Sequence, residues 1–137
     1  MSRLQALTDF RALLNPYGGR YAHGNGLPQV LEVVYLKLLR KGDPPTTEEL
    51  QKAIGYLQGL SQSTQSKLIE TQQGLTRLHQ RLGMPCTRRE RLELPRVIST
   101  DTRVKQVYSR DIALYRSLIR QLQQLQEQTS ERELATV

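Results

Sequence analysis

The sequence predicts a mainly α-helical protein with one small β-hairpin. Three observations lead there. Apolar residues recur every three or four positions through several separate stretches; Thr46 and Glu49 stand at the spacing of a helix-capping box; and two β-prone runs, Leu92–Ser99 and Val104–Ser109, flank TDTR. At 137 residues the chain can bury one modest core but not two independent ones.

The elements follow in order. Leu4, Leu7, Phe10 and Leu14 predict a short amphipathic helix over residues 3–14, too short to stand alone. Residues 15–28, NPYGGRYAHGNGLP, read as a loop, with Arg20 between two tyrosines as a candidate arm near a nucleic-acid backbone. The segment from Val30 to Leu39 is apolar on most faces, which predicts a helix in the middle of the core, closed by RKG and broken at GDPP. Next, TTEELQKAIGYLQG opens on the capping box and carries Leu50, Ala53, Ile54 and Leu57 on one stripe. Gly59 is expected to end that helix, and Ser61 to cap the next through its hydroxyl.

From Ser61 onward Leu68, Leu75 and Leu82 repeat at seven residues, with Leu78 between the last two. The face opposite shows Gln62, Ser63, Gln65, Ser66 and Lys67, groups able to bond base edges and phosphates. Residues 83–91, GMPCTRRER, read as a basic connector. Pro95 confines the first β-prone run to an edge, which suits a projecting ribbon. Ile112, Tyr115, Leu118, Ile119, Leu122 and Leu125 predict a C-terminal helix with a fraying Gln- and Glu-rich tail. Three units result: residues 1–29, 30–110 and 111–137.

Charge narrows the function. The net charge of +7 divides into +2 over residues 1–76, +7 over 77–120 and −2 over the remainder, and fifteen of the twenty cations are Arg. An excess this local is the electrostatic footprint expected of a nucleic-acid-binding surface. No apolar run is long enough to span a membrane, and MSRLQALTDFRALL lacks the apolar block of a signal peptide, so a cytoplasmic location is expected. Cys86 is the only cysteine, which argues against a disulfide and a zinc cluster; its neighbours Thr87, Arg88 and Arg89 leave open a thiol of lowered pKa. No phosphate-cradling glycine motif is present, and His23 and His79 lack a neighbouring nucleophile, so neither cofactor nor enzymatic activity is expected.

Three helices followed by a basic hairpin is the element order of a winged helix-turn-helix domain. More closely, the sequence resembles the MarR family of transcriptional regulators through Glu49-Leu50, Gly59-Leu60-Ser61, Ser63-Thr64, Ser66, Leu68-Ile69, Gly74-Leu75 and Asp101-Thr102-Arg103. The resemblance implies a homodimer joined through its terminal helices, reading a pseudo-palindrome in double-stranded DNA. It implies that Gln62, Ser63, Gln65 and Ser66 face base edges, with Thr64 and Lys67 near phosphates. Arg103 and Lys105 would carry the wing to the backbone, while Arg88, Arg89 and Arg91 add phosphate contacts. A small-molecule effector is a family trait for which the sequence shows no pocket. The alternatives are a replication, partition, or phage or plasmid maintenance factor, and a helical adaptor docking its basic face on an acidic protein.

Overall fold

The structure, a computed structural model, describes residues 2–13, 27–40 and 43–135. Arg20 and His23 lie outside the described residues. Those described form four helices: α1 (Ser2–Leu13), α2 (Gln29–Leu39), α3 (Thr47–Leu82) and α4 (Arg88–Ala135). No strand occurs among them, so the winged helix-turn-helix expectation, including its β-hairpin wing, is overturned.

The first correction concerns Gly59. Helix α3 runs through it for 36 residues without a turn. The reason is phase: Leu57, Leu60, Ser61, Thr64, Leu68, Thr71, Leu75 and Leu78 keep three- and four-residue spacing across the glycine, so one face stays turned inward. A mid-helix glycine costs about 1 kcal/mol relative to alanine, too little to break a stripe of this length. Ser61 is buried, and its hydroxyl accepts from the Gln65 side-chain amide at 3.2 Å instead of capping a first turn.

The second correction concerns residues 92–109, which are helical. The start of α4 is fixed by a capping box: the Glu90 amide donates to Thr87 Oγ1 and the Thr87 amide to Glu90 Oε1, both at 3.2 Å. Leu94, Ile98, Thr102, Lys105, Tyr108, Ile112 and Tyr115 then form an inward row at helical spacing, which overrides the β-preference of the intervening Val, Ile and Thr residues. Thr100 and Thr102 donate their hydroxyls to the carbonyls of Arg96 and Ile98, four residues back. Pro95 sits inside the helix with its ring exposed, where it removes one ladder hydrogen bond.

The core lies at one end. It combines Ala6, Phe10 and Leu13 of α1, Leu31, Val34 and Leu38 of α2, residues 50–60 of α3, and Tyr115, Leu118 and Leu122 of α4. Leu4 of α1 is exposed; the buried stripe is Ala6, Leu7, Phe10 and Leu13. Helix α2 buries one stripe only, leaving Leu36 and Leu39 partly exposed, so it borders the core instead of passing through its middle. Phe10 meets Tyr35 edge to face at 5.3 Å. The buried Asp9 carboxylate ties α1 to α4 by accepting from Ser117 Oγ at 2.7 Å and Gln121 Nε2 at 2.8 Å. The C-terminal part of α4 continues as helix to Ala135, with Gln126 donating to Gln51 and Thr47 hydrogen-bonded to Glu133.

The glycines of α3 offer a direct check. A Cβ added at Gly59 meets nothing within 4 Å. In an uninterrupted helix Gly59→Ala should therefore raise stability by about 0.5–1 kcal/mol. Chemical denaturation measures this, and a loss of stability would restore a turn at residue 59.

Candidate nucleic-acid interface

Beyond the core, α3 and α4 continue together as a two-helix arm. Pairing is antiparallel, with Arg81–Glu90 near the tip and Gln51–Gln126 at the far end. Between residues 65 and 110 Leu75 alone is buried. The remaining inward positions, including Leu68, Leu78, Leu94 and Ile98, are half-buried, because two helices without a third can cover each seam residue only in part. From Gln65 to Leu82 the arm is about 27 Å long.

The tip is closely tied. Helix α3 ends with the Gly83 amide donating to the carbonyls of His79 and Arg81. Arg81 grips Glu90 Oε2 through Nε at 2.8 Å and Nη2 at 2.7 Å, a charge-assisted fork across the turn. The Thr87 amide and, after it, the Arg81 guanidinium hold the Glu90 carboxyl below the usual glutamate range. The Cys86 thiol donates toward the carbonyls of Arg81 and Met84, at 3.2 and 3.1 Å.

Charge is concentrated on this arm. Residues 65–110 hold ten Lys and Arg against four Asp and Glu, a net +6 of the chain's +7. Arg81 and Arg89 are engaged by Glu90 and Glu93. All six of Arg77, Arg88, Arg91, Arg96, Arg103 and Arg110 are exposed and outside any salt bridge among the described residues, though Arg110 acts electrostatically on the neighbouring Asp111 carboxyl. Four of them form a ridge. At 3.6 residues per turn, Arg88, Arg96, Arg103 and Arg110 fall within an arc of about 80° on α4 and span about 33 Å along it.

The sequence-derived site residues separate onto different parts of α3 and α4. Gln62, Ser63, Ser66 and Lys67 are exposed, but on the middle of a continuous helix and not at the free N-terminus of a recognition helix. Thr64 is buried and Gln65 half-buried with its amide bonded to Ser61, so neither presents its polar group as expected. Arg103 is exposed and Lys105 half-buried, on a helix face and not on a ribbon. Counting equally back from Arg81–Glu90 places Lys67 about level with Val104, so Lys67, Arg103 and Lys105 share one section of the arm. Arg88, Arg89 and Arg91 lie at the tip, about 24 Å from that level. The expectation missed Arg77, Arg96 and Arg110; the seven-residue spacing of Arg96, Arg103 and Arg110 is the feature that reveals them.

No family model, curated protein or solved structure matches the chain. No helix among the described residues is long and apolar enough to cross a membrane. Nor do the described residues place three His, Cys, Asp or Glu side chains where they could hold a metal ion.

The arm's thinness gives a testable asymmetry. Leu75→Ala should cost about 2–3 kcal/mol where it stands, since the removed methyl groups belong to the best-buried contact of the arm. Hydrogen exchange should accelerate at amides of residues 66–110 while those of 50–57 and 115–122 keep their protection. Equal acceleration in both regions would show that arm and core unfold as one unit.

Proposed function

We propose that the protein binds double-stranded DNA through the arm, mainly by contacts to phosphates. One observation carries the reading: six exposed arginines outside any salt bridge among the described residues on a projecting two-helix arm, four of them on a single ridge. Arginine presents planar donors suited to phosphate oxygens, and an arm standing clear of the core can approach a duplex without steric conflict.

Shape argues for backbone contact over base reading. A B-DNA major groove about 12 Å wide admits one helix, and the α3–α4 pair is two helices, each about 10 Å across, side by side. The ridge therefore lies against a phosphate wall. The exposed amides and hydroxyls of Gln62, Ser66, Gln73 and Gln80 recur along the outer stripe of α3, on the opposite side of the arm from the ridge, so they are not part of that contact. A homodimer through α4 would have to use its outer faces, because Tyr115, Leu118 and Leu122 are occupied by the chain's own core.

A ridge that neutralises about four phosphates gives log K a slope near −3.6 against log salt, and Arg96→Gln with Arg103→Gln should reduce its magnitude by about 1.8. Fluorescence anisotropy with two unrelated duplexes between about 50 and 200 mM salt measures this. The two duplexes should bind within a few-fold of each other. Absence of binding at the lowest salt, as an adaptor for acidic proteins would show, or a slope untouched by the double variant, removes the assignment.

A further inference from the structure

A second basic feature lies at the other end of the molecule. A cavity of about 230 Å³ opens where the start of α1, the end of α2, the start of α3 and the end of α4 meet, and Arg3, Lys37, Arg40 and Arg132 all line it. Measured along α4, Gln128 stands about 60 Å from Arg88 at the arm's tip, so this site is separate from the proposed DNA surface.

The charge balance inside it is uneven. Among the described residues no Asp or Glu lines the cavity; Glu133 stands beside Arg132 in the adjoining depression, where its carboxylate accepts from Thr47. The nearby Glu49 is already engaged: its Oε1 accepts from Lys37 Nζ at 2.7 Å and from the Thr46 amide at 2.9 Å. Lys37 draws the Glu49 carboxyl below its ordinary range, with the Thr46 amide adding to the effect, so it is ionised and matched to that one lysine. Arg3, Arg40 and Arg132 then line the same small volume without a carboxylate partner among the described residues. Like charges gathered this way repel one another until an anion joins them.

Arg3 is also held in position. Its Nε and Nη2 donate to the Leu38 carbonyl at 2.9 and 2.6 Å, and Nη2 to the Arg40 carbonyl at 3.2 Å. These bonds satisfy the last carbonyls of α2, whose partial negative charge would otherwise oppose an anion. They leave Nη1 without a protein acceptor among the described residues. A guanidinium fixed on one edge and open on another loses little side-chain freedom when it binds. The rest of the wall is mixed: Pro44 and Leu125 present apolar surface beside the cations, with Gln128 and Thr129 polar, while Leu38, Leu50 and Pro45 are buried behind it.

We infer that this cavity binds a small organic phosphate, its dianion bonded by Arg3, Arg40 and Arg132 and its compact apolar body laid against Pro44 and Leu125. A dianion suits three unmatched cations better than a single carboxylate does, and the volume falls below the roughly 300–1,000 Å³ of pockets that take drug-sized ligands. The reading goes beyond DNA binding and stands whether or not the arm contacts a duplex.

The test titrates phenyl phosphate into the full chain, followed by amide NMR shifts at low salt, with inorganic phosphate titrated in parallel. Saturable shifts are expected at Leu38, Leu50 and Thr129, and inorganic phosphate should bind several-fold more weakly, by loss of about 1 kcal/mol or more of apolar contact. Arg132→Gln and Arg40→Gln, both exposed positions, should each weaken phenyl phosphate about tenfold, the loss of one charge-assisted hydrogen bond. Shifts that grow linearly without saturation, that appear first at Arg96–Arg110, or that both variants leave unchanged would overturn the site. Equal binding of the two phosphates would overturn the role of the apolar wall.

Discussion

Everything in this molecule depends on one seam, the row of inward side chains that keeps its helical phase from Leu50 to Leu78 on α3 and from Leu94 to Leu125 on α4. At the core end, α1 and α2 close over the seam and bury it. Along the arm no other described helix covers it, and burial drops to the single residue Leu75. The same continuous pattern thus produces a packed bundle at one end and a thin projection at the other. What differs is the number of helices available to share it.

That difference in coverage locates the chemistry. A two-helix arm exposes most of its circumference, so the arginines that crowd residues 77–110 find water on nearly every side and few carboxylates to pair with. The tip withstands this because Arg81, Glu90 and Thr87 knit the turn together with charge-assisted and capping bonds. Two arms of net +6 would repel each other, which favours a polyanion over a second copy as the arm's partner. The opposite end carries a different basic arrangement, a small open hollow lined by exposed arginines, suited to something small.

Several parts of this were legible in the sequence, and their physics was local. The Thr46–Glu49 capping box formed as its spacing requires, with both reciprocal bonds present. The stripe Leu50, Ala53, Ile54 and Leu57 is buried, and Ile112, Tyr115, Leu118 and Leu122 are buried likewise. The concentration of positive charge beyond residue 76 maps onto the arm. The errors came from punctuation residues taken as decisive. Gly59 and Pro95 each carry a local cost, yet neither outweighs a seam that gains from every turn on both sides. The β-branched run at 97–107 misled for the same reason, since its helical face becomes apparent only once α3 is placed against it. Thr87 and Glu90 show the capping-box spacing in plain view within TRRE, and that pattern marks the start of α4. The basic cavity could not be read at all, for its cations come from four helices brought together only by folding.

The unbroken course of α3 is the point on which the account turns, and a spin-label distance across Gly59 examines it directly. With Cys86→Ser as background, Lys52→Cys and Glu70→Cys place labels at two exposed positions five helical turns apart. A continuous helix gives a single narrow distance near about 27 Å. A distance below about 20 Å, as two helices meeting at a helix-turn-helix angle would give, contradicts the arm and the functional reading built on it.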